Sequence, residues 1–185
     1  MEIPFLPTEV LFAASWLLLR MAVWFRQKQI DWKREAVLLL LYGNLAVMLR
    51  FVLFPVYRAG GRVRPLLFEP AAILPFRVNL IPLVNLLNYR SRRELLLNLV
   101  GNVSVFIPSG IVLPIVYRRL NSFGKVTAAG ALLSLGIEIL QLPFSVRSTD
   151  VDDLILNTCG TMIGYGIYAG IRRTRAKRAA RARNE

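Results

Sequence analysis

Residues Leu95 to Tyr117 read LLLNLVGNVSVFIPSGIVLPIVY, a run without a single formal charge. A helix rises about 1.5 Å per residue and the hydrocarbon core of a bilayer is about 30 Å thick, so about 20 apolar residues suffice to cross it. The run therefore reads as a transmembrane helix, with Arg92, Arg93 and Glu94 before it and Arg118 and Arg119 after it. Four further apolar runs lie between charge clusters: Val10 to Phe25 with Arg20 inside it, Ala36 to Tyr57 with Arg50, Val126 to Val146 with Glu138, and Leu154 to Ile171 with no charge. The expectation is an all-α integral membrane protein, a bundle of about five transmembrane helices. Because the first run follows Met1-Glu2-Ile3-Pro4, with no basic residue before it and no clear small-residue cleavage site after it, it reads as a retained helix and not a removed signal peptide.

Composition supports this. Of 185 residues 55% are hydrophobic, and the mean hydropathy of +0.49 is high for a soluble domain. Lys and Arg number 24 against 11 Asp and Glu, a net charge of +13. In so apolar a chain that excess points to basic connections lying against anionic lipid, and not to nucleic acid. The absence of histidine excludes a Ser-His-Asp triad and removes the commonest general base and metal ligand. The single cysteine, Cys159, excludes an intramolecular disulfide and a multi-cysteine zinc site, and reads as a small buried residue. No cofactor and no dedicated metal motif is expected.

Basic connections stay cytoplasmic, so counting them orients the bundle. Residues 26–35, 118–125 and the tail from Arg172 together hold fourteen Lys and Arg; the other side holds eight, seven of them between Arg58 and Glu94 and the last being Arg147. The expectation is an N-terminus outside, a C-terminus in the cytoplasm, and three regions: 1–35, the first helix and a basic loop; 36–171, the main membrane domain; and 172–185, a basic tail resting on anionic lipid. The connection between the second and third helices is odd, being apolar yet interrupted by Pro65, Pro70, Pro75 and Pro82. It is expected to be a re-entrant or interfacial segment, since irregular backbone at membrane depth needs protein or a wet cavity around it.

Polar residues within spans are costly, so their convergence is informative. Glu94, Asn98 and Asn102 recur every four residues in the third helix; Glu138 and Gln141 share a face of the fourth; Asp153, Asn157, Gly160 and Gly164 share one of the fifth. Arg147, Asp150 and Asp152 fill the turn between the last two helices. All three stripes are directed to one membrane face, where Arg50, Arg77 and Arg147 are candidate counter-charges. A ligand pocket and a structural lock that merely fastens helices both fit this pattern. The small-xxx-small pairs Gly160/Gly164 and Gly166/Gly170 suggest close helix packing, with a homodimer through Gly160 and Gly164 as a lesser alternative. Pro108 and Pro114 are expected to kink the third helix and free carbonyls near Ser104 and Ile107.

The series Asn79-Leu-Ile-Pro82, Asn98-Leu-Val-Gly-Asn102, Phe106-Ile-Pro-Ser-Gly110, Glu138-Ile-Leu-Gln141, Arg147-Ser-Thr-Asp150-Val-Asp152-Asp153 and Asn157-Thr-Cys-Gly160 with Gly164 resembles the VanZ-like family over roughly residues 75 to 170. Leu83, where an aromatic is common, and Ser109, where a leucine is common, depart from that pattern, and Arg50 has no counterpart in it. The resemblance implies a small bacterial cell-envelope membrane protein associated with reduced susceptibility to teicoplanin-type glycopeptides, a phenotype whose molecular activity the family does not supply. On that footing the leading expectation is binding of a lipid or lipid-linked wall component through Arg77, Asn79, Asn98, Asn102, Gln141, Arg147, Asp150 and Asn157. The competing expectation is an outer-leaflet hydrolase or transferase acting on a lipid-linked substrate, with Glu138, Asp152 and Asp153 as acid, base or cation ligands.

Overall fold

The computed structural model describes residues 1–54, 58–59, 62–73, 78–82, 91–144 and 149–183. Five of its helices are long and apolar enough to cross a membrane. They are α1 (Phe5–Gln27), α2 (Trp32–Met48, continued as a π-helical turn over Leu49–Leu53), α3 (Arg92–Val116), α4 (Phe123–Gln141) and α5 (Val151–Arg181). The expected spans are thus present, with edges shifted where local chemistry decides them. Asp31, Ser91 and Asp150 each accept a backbone N–H in the first turn of α2, α3 and α5 through their side chains, setting those starts. The fourth span ends at Gln141 and not at Val146, and the basic residues from Arg172 continue α5 as helix to Arg181.

Burial is inverted relative to a soluble bundle, as a membrane requires. Leu11, Leu18, Leu39, Leu97, Val100, Leu132, Ile139 and Ile155 are exposed on the helix surfaces, whereas Asn44, Ser109, Ser134, Glu138, Gln141, Asp152, Asn157 and Thr161 are buried. Lipid solvates the first group at no cost; the second would be expensive there and turns inward to find partners. The apolar core consists of two clusters: Leu38, Leu41, Val112 and Val116 between α2 and α3, and Met48, Val52 and Phe106 beside it. Helix α1 buries none of its residues and lies at the edge of the bundle. It is held to α2 by an aromatic contact, Phe12 stacked on Tyr42 with ring centroids 5.4 Å apart, and by an Arg20–Glu35 ion pair.

The tightest seam joins α3 to α5. A methyl group added at Gly160 would lie 2.2 Å from the Val103 carbonyl oxygen, one at Gly164 2.0 Å from that of Ile107, and one at Gly110 2.1 Å from that of Thr161. Only the missing Cβ atoms allow these backbones to touch. The face carrying Gly160 and Gly164 is therefore filled within the chain, and a dimer through it would have to displace α3. Gly166 and Gly170 have open space around them. Helix α3 runs through Pro108 and Pro114 without interruption. Cys159, expected to be buried, is exposed on the surface of α5, because it lies on the side of the helix turned away from the glycine seam.

Short strands gather at one end of the bundle, where α1 and α5 begin and α4 ends. Strands β2 (Arg58–Ala59) and β3 (Arg62–Val63) pair antiparallel, as do β1 (Glu2–Ile3) and β4 (Leu66–Leu67). Phe68 bridges to Phe144, and β5 (Val78–Asn79) pairs in parallel with β6 (Thr149–Asp150). The described part of the Pro-rich connection thus ties the first span to the turn between α4 and α5. The opposite end carries the basic connections and is the basic end of the bundle.

Candidate functional site

The site is assembled at the entry of α5. Asp150 occupies the N-cap, with its Oδ1 accepting the backbone N–H of Asp152 at 3.0 Å. The backbone N–H of Asp150 itself is directed at α4 and donates to Oε2 of Glu138 at 3.1 Å. Asp150 Oδ1 also accepts from Nδ2 of Asn79 at 3.1 Å, and the Asn79 side chain closes a local turn by accepting the backbone N–H of Ile81. One carboxylate therefore ties together the helix start and the Pro-rich connection, while its own backbone is fastened to α4. The β5–β6 register, Asn79 opposite Asp150, makes this possible by holding the two strands side by side.

Burial makes the arrangement selective. Glu138 and Asp152 are each 2% exposed and Asp150 is 9% exposed. Three carboxylates thus lie close together at a helix N-terminus, whose aligned peptide dipoles favour negative charge. One residue further, Asp153 accepts from Nδ2 of Asn102, which fastens α3 to the same helix start. The result is a polar end-plate shared by α3, α4, α5 and β5, largely buried, where electrostatic interactions are strong. Among the described residues no group of three or more His, Cys, Asp or Glu side chains is placed to hold a metal ion.

The sequence-derived site residues divide into three groups. Asn79, Asn102, Glu138, Asp150, Asp152 and Asp153 converge as just described. Gln141 and Asn157 do not join them. Gln141 donates to the carbonyl oxygen of Val52 at 2.8 Å, in the π-helical turn that continues α2, so it fastens α4 to α2. Asn157 lies roughly 10 Å deeper along α5 than Asp150 by helical rise, is fully buried, and donates to Ser134 Oγ at 2.9 Å. Asn98, one turn before Asn102, is partly buried, and its side chain forms no hydrogen bond among the described residues. Arg77 and Arg147 lie outside the described residues. Arg50 places its guanidinium 5.5 Å from the Phe5 ring centroid and 5.1 Å from that of Phe51, so part of its environment is a cation–π contact with the start of α1.

Two polar contacts escaped the sequence reading. Asn44 donates to Ser109 Oγ at 2.9 Å in the α2–α3 interface, and Ser134 is the partner of Asn157. Asn44 carried a readable signal, an amide in the middle of an apolar run, but it belonged to none of the three stripes. A serine gives almost none, because its hydroxyl can be satisfied within its own helix.

The VanZ/LLP1 family model matches residues 40–172, from the middle of α2 to within α5. Protein VanZ of Enterococcus faecium is 33% identical over 91 residues, covering 49% of this chain and 52% of that protein, so the matched region spans about half the length of this curated relative. No solved structure matches the chain. With the family model covering well over half of the sequence and five apolar helices arranged around a buried polar interior, the chain belongs to the VanZ/LLP1 family and is a multi-pass membrane protein.

Proposed function

We propose that this protein resides in the bacterial cell envelope with the Asp150 end-plate facing outward, and that the end-plate binds the polar head of a lipid or lipid-linked wall component. In doing so it lowers susceptibility to teicoplanin-type glycopeptides, the phenotype that the family resemblance implies. The observation carrying this reading is the convergence of Asn79, Glu138, Asp150 and Asp152 from β5, α4 and α5 on one helix start. A lock between two helices needs one such bond; here a separate segment of irregular chain is also fastened over the site. In this reading Arg77 and Arg147, neighbours in sequence of β5 and β6, hold an anionic phosphate or carboxylate, and the carboxylates and Asn79 orient it. The excess of basic residues at the other end supports the outward assignment.

The test is made in a strain lacking the protein, expressing wild type, Arg147→Gln and Glu138→Gln at equal membrane levels. Loss of protection against teicoplanin in both variants supports the reading, and full protection in both overturns it. The near-complete burial of Glu138 and Asp152 favours one second reading, an outer-leaflet hydrolase or transferase in which the two carboxylates act as an acid/base pair. That reading requires release of a water-soluble product from labelled membrane lipid by purified protein.

A further inference from the structure

The basic end of the bundle carries a site of a different kind. A groove of about 580 Å³ opens between the start of α2 and the end of α3, within the size range of small-molecule and headgroup pockets. Lys33 and Arg34 line it from α2; Arg118 and Arg119 line it from the turn after α3; Ile115 and Tyr117 form part of its apolar wall. Its one acid, Asp31, is engaged as the α2 N-cap, accepting the Arg34 backbone N–H at 3.1 Å. The walls are fixed relative to each other because Nη1 of Arg34 donates to the Val116 carbonyl oxygen at 3.0 Å, across 82 residues of chain. A guanidinium has five N–H donors, and this bond uses one. Lys125 adds a further cation by donating to the Arg119 carbonyl oxygen at 3.3 Å.

The groove also has the right gradient for an amphiphile. Ile115 and Tyr117 are 37% and 42% exposed at the last turn of a membrane span, directly beside the cations. An apolar wall continuous with the lipid-facing surface, topped by fixed positive charge, matches an acyl chain beneath a phosphate.

We propose that this groove binds the phosphate headgroup of an anionic phospholipid in the leaflet at the basic end, with Lys33, Arg118 and Arg119 on the phosphate, Arg34 positioning the walls, and an acyl chain along Ile115. The site is separate from the Asp150 end-plate and does not depend on what that end-plate binds. It is also separate from the arginine-rich extension of α5.

The experiment uses the full chain in nanodiscs, with retained lipid counted by native mass spectrometry as phosphatidylglycerol is titrated into phosphatidylcholine. Wild type should retain one phosphatidylglycerol selectively. Each surface Lys or Arg contributes about 5-fold to anionic-lipid binding, so a combined Lys33→Gln, Arg118→Gln, Arg119→Gln variant should lose roughly 100-fold in that preference. Replacing Arg172, Arg173, Arg175, Lys177 and Arg178 with Gln should leave the retained lipid in place. Should the combined variant fail to fold, Lys33→Gln alone, at an exposed position, should still lose about 5-fold. Soluble glycerol phosphate, which carries the headgroup chemistry without the chains, should compete at least 100-fold more weakly than the lipid. An unchanged preference in the groove variants, loss of the lipid only in the tail variant, or equal competition by glycerol phosphate would each overturn the proposal.

Discussion

The backbone N–H of Asp150 and the carboxylate of Glu138 meet at 3.1 Å, so a residue near the end of one span holds the N-cap of the next at twelve positions' remove. The turn between α4 and α5 is closed by this bond and by the Asp150 cap on Asp152. Charge and hydrogen bonding can be separated here. Glu138→Gln retains an acceptor oxygen for the Asp150 N–H, and should lower the unfolding midpoint in detergent less than an apolar replacement does. Glu138→Leu leaves that buried N–H without its acceptor and should cost about 1–3 kcal/mol. If only the leucine variant is destabilised while both lose protection against teicoplanin, the charge of Glu138 is required for function and not for folding.

The glycine seam should be intolerant of any side chain. Gly160→Ala or Gly164→Ala forces a methyl group into a carbonyl oxygen of α3, and each should lower stability by about 1–3 kcal/mol or more through displacement of the helices. Gly166→Ala and Gly170→Ala meet open space, and should be neutral or stabilising by up to about 1 kcal/mol, because alanine is the better helix former. Thermal unfolding of the four variants in one detergent checks both halves of the expectation.

Asn44 and Ser109 exchange hydrogen bonds in a buried interface, with Ser109 Oγ also donating to Asn44 Oδ1 at 3.3 Å. A double-mutant cycle with Asn44→Ala and Ser109→Ala should yield a coupling of about 0.6 kcal/mol, and no more than about 1.7 kcal/mol, the range for hydrogen bonds between membrane helices. The value stays small because an unpaired amide in the unfolded, still membrane-embedded chain finds other partners. Steric trapping of the four proteins in bilayers measures it.

Arg20 and Glu35 form the polar link between α1 and α2, their side chains 14% and 13% exposed. Since α1 buries none of its residues, this pair and the Phe12–Tyr42 stack carry much of its attachment. Arg20→Gln should loosen α1 while leaving α2 to α5 folded. The exchanged pair Arg20→Glu, Glu35→Arg should restore part of the attachment. Hydrogen–deuterium exchange of the α1 backbone amides in nanodiscs, compared among wild type, Arg20→Gln and the exchanged pair, reads the result directly.

The number and placement of the spans were legible in the chain itself. A membrane helix needs only enough consecutive apolar residues between charges, which is a one-dimensional property. The same holds for the basic end, for the outward-turned apolar surfaces, and for the expectation that Asn102, Glu138, Asp150 and Asp153 share one region, since helical spacing and alternating span direction fix which residues lie at which end. Tertiary structure alone decided what each polar group touches. Gln141 shares a face with Glu138, yet its amide donates to the Val52 carbonyl oxygen in the π-helical turn after α2. Gly160 and Gly164 are committed to α3 within the chain because Val103 and Ile107 present carbonyl oxygens there. Asn79 reaches Asp150 across 71 residues through a parallel strand pair only two residues long. Periodicity assigns a residue to a face and a depth; its partner depends on how the helices are rotated and how closely they approach, and those are settled by packing the whole bundle at once.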